Sequence, residues 1–82
     1  MFYVYLAKSY KKYEKKEDAI REFVRQFERR EKNGGLVTLK EDESMVAKTS
    51  LAVEGGAVEL GKSPSISADE VMVALIGGYN TN

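Results

Sequence analysis

The side chains with the most chemical potential in this chain of 82 residues are lysines interspersed with tyrosines near the amino terminus, followed by arginines at helical spacing. Lysine and arginine neutralise phosphates, and tyrosine rings stack on bases, an interaction worth about 1 to 3 kcal/mol per base. Nucleic acid is therefore one candidate partner. The candidate nucleic-acid-binding residues are Lys8, Tyr10, Lys11, Lys12, Tyr13, Lys15, Lys16, Arg21, Arg25 and Arg29.

Charge is segregated along the chain although the net charge is zero. Residues 1–35 contain ten Lys/Arg and six Asp/Glu, whereas residues 36–82 contain three and seven. A basic half can dock on phosphates, but the same residues also fit a solvated loop and a helix whose charges pair along its own surface. The charge pattern leaves both interpretations open.

Tyr3 and Tyr5 alternate with apolar residues in a segment with strand character. If Phe2, Val4 and Leu6 face the core, both tyrosines stand on the open face of a sheet, where RNA-binding domains stack bases. A second basic and aromatic motif is missing from residues 36–60, so no family is assigned. The alternatives are that the rings cover the sheet, pack under the basic loop or belong to a dimer interface.

Residues 56–63 match the sequence motif of a phosphate-binding loop, in which two glycines five positions apart, here Gly56 and Gly61, are followed by Lys62 and Ser63. That loop requires a preceding buried parallel strand and a helix that begins at its Gly-Lys pair. Here Pro64 follows directly and residues 57–60 have strand character. We therefore interpret the motif match as a coincidence of sequence.

Several classes of chemistry are excluded by composition. The chain has no cysteine and no histidine, so a disulfide scaffold, a Cys/His zinc site, a thiol nucleophile and an imidazole base are all impossible. Glu41, Asp42 and Glu43 form an acidic run that is typical of a solvated turn between strands. We expect no enzymatic activity, no metal and no cofactor.

The elements that must position these residues follow from periodicity. Residues 2–6 predict a strand, residues 8–16 a loop, and residues 17–32 a helix with an apolar stripe through Ile20, Phe23, Val24 and Phe27. A period of two then predicts strands at 36–40, 45–54 and 57–60. A two-residue turn at Gly55-Gly56 would place Val53 opposite Val58 and Leu51 opposite Leu60.

The last predicted helix, residues 68–76, begins with a capping box in which Ser67 and Glu70 satisfy each other's backbone amides. Residues 71–76 are apolar all round, so one packed face would leave some of them exposed. Burial against a second copy of the chain would cover them, and so would the basic loop and the tail around Tyr79 if they fold over the helix within one chain. The candidate interface residues are Tyr3, Tyr5, Val71, Met72, Val73 and Ile76.

The predicted fold is a single α+β domain over residues 1–82, in the order β-α-β-β-β-α. One mostly antiparallel sheet of about four strands would carry both helices on one face. The favoured function is a non-enzymatic, nucleic-acid-associated module. The alternative is a protein-interaction or assembly module, an inhibitor or accessory subunit, that acts through the acidic half and the apolar last helix. We expect a homodimer in the cytoplasm, with no membrane segment.

Overall fold

A computed structural model describes residues 1–29, 35–49 and 58–77. Its elements are β1 (Phe2–Leu6), β2 (Tyr10–Tyr13), α1 (Lys16–Glu28), β3 (Val37–Glu41), β4 (Ser44–Thr49), β5 (Val58–Leu60) and α2 (Ala68–Gly77). The strands form one antiparallel sheet in the order β2-β1-β3-β4-β5, with the helices packed on it. The predicted α+β class is confirmed.

The main difference from the predicted order is strand β2, which lies in the segment expected to be a loop. It pairs antiparallel with β1, and the turn between them is closed by a hydrogen bond from the Leu6 amide to the Ser9 carbonyl, 2.7 Å. The alternation in β2 is hidden because a lysine, Lys11, occupies a position on the helix side. Its ammonium lies 3.3 Å from the carboxylate of Glu22 in α1. Among the described residues the sheet therefore has five strands.

The core lies between helix α1 and the sheet face that carries the buried side chains Val4 and Leu39, which we call the dry face. Ala19, Ile20 and Phe23 of α1 are fully buried, as is Leu39 of β3, which pairs with Ala47 of β4. Burial of this apolar stripe stabilises the helix against the sheet. Helix α1 therefore lies on one side of the sheet, and none of the helices in residues 1–29, 35–49 and 58–77 packs on the opposite face, which we call the open face.

A bulge in the β3–β4 ladder accounts for one unexpected core residue. The pairing register shifts between Leu39 and Lys40, which adds one residue to β4. Val46 is consequently buried at 2% exposure, although strict alternation with its buried neighbour Ala47 would place it on the open face.

Helix α2 begins as the sequence predicted. The Glu70 amide donates to Ser67 Oγ and the Ser67 amide donates to Glu70 Oε1, both at 3.1 Å. Two donors that a helix start leaves unpaired are thus satisfied, which fixes where α2 starts. Along residues 1–29, 35–49 and 58–77, neither helix has the length and apolar character needed to cross a bilayer.

The described part of the segment that matches the phosphate-loop motif, residues 58–63, folds differently from a phosphate-binding loop. Residues 58–60 are the strand β5, and Ser63 Oγ donates to the Glu41 carboxylate. A β-carbon on Gly61 would lie 2.1 Å from the Met45 carbonyl oxygen, so this glycine is required for close strand packing. Gly56 and the predicted Gly55-Gly56 turn, with partners Leu51 and Val53, lie outside the described residues.

Candidate nucleic-acid interface on the open sheet face

Three tyrosines gather on the open face of the sheet. Tyr3 and Tyr5 come from β1, and Tyr10 of β2 lies directly opposite Tyr5. Their ring centroids are 5.9 Å apart for Tyr3 and Tyr5, 6.2 Å for Tyr3 and Tyr10, and 5.5 Å for Tyr5 and Tyr10. We call these rings the tyrosine cluster. Tyr10 is 58% exposed and Tyr5 37%, so the cluster presents aromatic surface to solvent.

Two lysines flank the tyrosine cluster because of strand register. Tyr3 lies opposite Lys12 of β2 on one side and opposite Lys40 of β3 on the other. Residues directly opposite in an antiparallel pair share a face, so both lysines belong to the open face. Lys40 Nζ lies 5.9 Å from the centroid of the Tyr5 ring, within range of a cation–π contact.

The tyrosine cluster lines a shallow groove of about 460 Å³ that continues to the β3–β4 turn. Lys40, Asp42 and Glu43 complete its lining. Asp42 has a positive φ of 51°, which aspartate tolerates better than most residues, and its carboxylate lies 3.2 Å from the amino-terminal nitrogen. Glu43 is exposed and has no hydrogen-bond or ion-pair partner within the described segments. The groove thus combines aromatic surface, a cation and carboxylates.

Four of the predicted cations are instead paired with carboxylates of the helices. The pairs are Lys11–Glu22 at 3.3 Å, Lys16–Glu70 at 3.1 Å, Arg21–Asp18 at 2.9 Å and Arg25–Glu22 at 2.8 Å. Because α1 covers the dry face of the sheet, its arginines cannot share a surface with the tyrosine cluster. The residues of the predicted basic segment therefore lie on two faces of the sheet, the open face and the helix side.

Glu22 is the centre of the polar contacts on the helix side. Burial alone would raise the pKa of its carboxyl group, but hydrogen bonds from Gln26, Arg25 and Lys11 outweigh burial and hold the pKa below its usual value. Tyr13 lies half-buried beside it, and burial together with the charge of Glu22 raises the pKa of its phenol. Tyr13 therefore packs against the protein interior and is not aligned with the open-face rings.

The remaining predicted cations are exposed. Lys8 lies in the β1–β2 turn, Lys12 on the open face, Lys15 at the start of α1 and Arg29 at its end. None of them has a carboxylate within salt-bridge distance among residues 1–29, 35–49 and 58–77. Of this group, Lys12 is the cation whose strand position places it beside the tyrosine cluster.

The predicted interface residues lie in two separate regions. Tyr3 and Tyr5 belong to the tyrosine cluster, whereas Val71, on the packed face of α2, is fully buried in the core. Met72, Val73 and Ile76 form an exposed stripe on α2, with exposures of 41%, 65% and 80%. The apolar character that the sequence showed all round this helix is thus split between a packed face and a solvent-facing one.

Lys40 shares the open face with the tyrosine cluster but is not among the residues that the sequence predicted for the site. The missing information was the pairing of β1 with β3, which are separated by a whole helix.

Within the described part of the chain, no three acidic side chains are arranged to hold a metal ion. Comparison of the chain with protein-family models, with curated proteins and with solved structures finds no match.

Proposed function

We propose that this protein is a non-enzymatic module that binds single-stranded nucleic acid on the open face of its sheet. The observation that carries the proposal is the tyrosine cluster, Tyr3, Tyr5 and Tyr10, held on paired strands with a lysine on either side of Tyr3. Base stacking on exposed rings tolerates any sequence because every base has a π face. A cytoplasmic location belongs to the proposal and agrees with the absence of cysteine.

The preference for single strands follows from the form of the surface. A stacking platform needs bases whose faces are free, and a duplex keeps its base faces covered. The arginines of α1, which suit a duplex backbone, lie on the other side of the sheet and are paired with Asp18 and Glu22. Stacking rather than a large cationic surface therefore supplies most of the affinity.

Lys12 and Lys40 supply the phosphate contacts in this proposal. Each neutralised phosphate of a single strand contributes about −0.7 to the slope of log affinity against log salt. Two lysines therefore predict a shallow slope, on the order of −1.4. Lys48 on the same face contributes less, because Glu59 lies 3.9 Å from its ammonium.

Fluorescence anisotropy with a labelled single-stranded octanucleotide tests the proposal, with the corresponding duplex as comparison. Tyr10→Ala should weaken binding about tenfold, whereas Tyr10→Phe should bind like the wild type because the ring is retained. Tyr13→Phe removes only the hydroxyl of a ring on the helix side; it is the matched control for Tyr10→Phe and should also leave affinity unchanged. Absence of single-strand binding at low salt, or wild-type affinity in Tyr10→Ala, would overturn the proposal.

The lysine contribution is tested by Lys40→Gln against Lys62→Gln. Both lysines carry one charge, but Lys62 follows β5 at the far edge of the sheet. We expect Lys40→Gln to reduce the salt slope by about 0.7 and Lys62→Gln to leave it unchanged. An equal change in both variants would indicate non-specific attraction by the whole molecule.

A second candidate function is assembly through a second copy of the chain, supported by the exposed stripe of α2. Met72, Val73 and Ile76 lie on a helix segment without a charged residue, so two copies could pair there without like-charge repulsion. Light scattering on the wild type and on Met72→Glu tests this candidate. A dimeric wild type that becomes monomeric in the variant supports it, and a monomeric wild type removes it.

A further inference from the structure

The groove on the open face has two chemically different ends. At one end are the tyrosine cluster and Lys40, and at the other is the β3–β4 turn with Asp42 and Glu43. A carboxylate repels phosphate, so its place in a nucleic-acid groove calls for a different contact. Carboxylates accept hydrogen bonds and donate none, which makes them suited to base edges that carry N–H groups.

We infer that this groove selects guanine, with Glu43 accepting hydrogen bonds from the Watson–Crick edge of a base stacked on the tyrosine cluster. The inference rests on the proposed function. Guanine alone among the standard bases presents two adjacent donors on that edge, N1–H and the 2-amino group, which match the two oxygens of one carboxylate. Adenine, cytosine and uracil each place an acceptor beside their donor, and that acceptor repels a carboxylate.

Glu43 is the carboxylate assigned to this contact because its neighbours are engaged elsewhere. Asp42 is paired with the amino terminus at 3.2 Å, and its backbone amide donates to the Met1 carbonyl at 2.9 Å. Glu41 points to the helix side, where Ser65 donates to it through both its amide and its hydroxyl, at 2.8 and 2.7 Å. These contacts anchor the turn on both sides, while Glu43 has no partner within the described residues.

The lysine and the carboxylate then have separate roles along the groove. Lys40, opposite Tyr3, attracts the backbone, and Glu43, two residues beyond the end of β3, reads the edge of the stacked base. Binding without guanine depends on stacking and on Lys12 and Lys40 alone. Loss of Glu43 should therefore abolish base preference without abolishing binding.

The test compares three single-stranded RNA hexamers in an anisotropy titration: all uridine, uridine with two central guanosines, and uridine with two central inosines. Inosine has nearly the stacking surface of guanine but lacks the 2-amino group. We expect the guanosine hexamer to bind about tenfold more tightly than the inosine hexamer. Glu43→Gln should reduce that ratio to about one and should bind the uridine hexamer at least as well as the wild type.

Glu59→Gln is the matched control, since Glu59 lies on the same open face but outside the groove. It should retain the guanine preference. Equal binding of the guanosine and inosine hexamers by the wild type, or an unchanged preference in Glu43→Gln, would overturn the inference while leaving the proposed function intact. Absence of binding to all three hexamers would remove both.

Discussion

The Lys11 ammonium lies 3.3 Å from Glu22 Oε2, and this contact joins the edge strand β2 to helix α1. Glu22 also accepts two hydrogen bonds from Arg25 Nη2, at 2.8 and 2.9 Å, and one from Gln26 at 2.7 Å. Two residues that the sequence favoured as phosphate ligands, Lys11 and Arg25, are thus part of the protein's own framework. The tyrosine cluster lies on the opposite face of the sheet.

Glu22→Ala should destabilise the fold because it removes a buried acceptor shared by three donors. We expect the free energy of unfolding to fall by about 2 kcal/mol, measured by urea denaturation. Asp18→Ala is the matched control, since it removes the other carboxylate–arginine pair of the same helix in an exposed setting. That variant should lose less than about 0.5 kcal/mol. Equal losses would contradict a central role for Glu22.

Stability should decline at acid pH. The pKa of Glu22 in the folded protein is held below 4.5, its usual value, because its hydrogen bonds outweigh the effect of burial, and the pKa of Glu41 is lowered in the same way by Ser63 and Ser65. A lowered pKa gives stability that is fully present above about pH 4.5 and is lost as pH falls through the folded-state value. Unfolding free energies measured from neutral to acid pH should show this decline.

Glu22→Gln should flatten the acid decline, since the variant keeps the shape of the side chain but has no proton to gain. The variant should be less stable than the wild type near neutral pH, and the difference should shrink in acid. Parallel curves for the two proteins would show that Glu22 does not contribute to the pH dependence.

Gly61→Ala should destabilise the sheet because the new β-carbon would meet the Met45 carbonyl oxygen at 2.1 Å. Backbone atoms on both sides must move, and we expect a loss of about 1 to 3 kcal/mol. Gly77→Ala is the control, since a β-carbon there meets nothing within 4 Å at the end of α2. It should be neutral or slightly stabilising. Thermal unfolding of both variants measures the difference in stability. A Gly61→Ala variant as stable as the wild type would contradict the close approach of Gly61 to the Met45 carbonyl in β4.

Local signals predicted most of the fold, and long-range pairing decided most of the site. The capping box at Ser67 and the stripe through Ile20 and Phe23 depend on residues close in sequence, and both were predicted correctly. Strand β2 was missed because Lys11 occupies a position on the helix side, where alternation leads one to expect an apolar residue; at this sheet edge its side chain stays 49% exposed and pairs with Glu22.

The lysines of the open face illustrate the same limit. Lys40 and Tyr3 are 37 positions apart in the chain, and they lie side by side only because β3 pairs with β1. The sequence showed a concentration of positive charge, but the pleat of β2 sends Lys11 to one face and Lys12 to the other. Charge counted along a chain therefore does not define a charged surface.

Chemical-shift mapping by NMR on the isotope-labelled chain, titrated with a single-stranded octanucleotide, tests the central claim most directly. We predict that the largest shifts occur at Tyr3, Tyr5 and Tyr10, with smaller ones at Lys12 and Lys40, while residues of α1 remain unchanged. Shifts concentrated on Arg21 and Arg25, or no shifts at saturating oligonucleotide, would contradict the account.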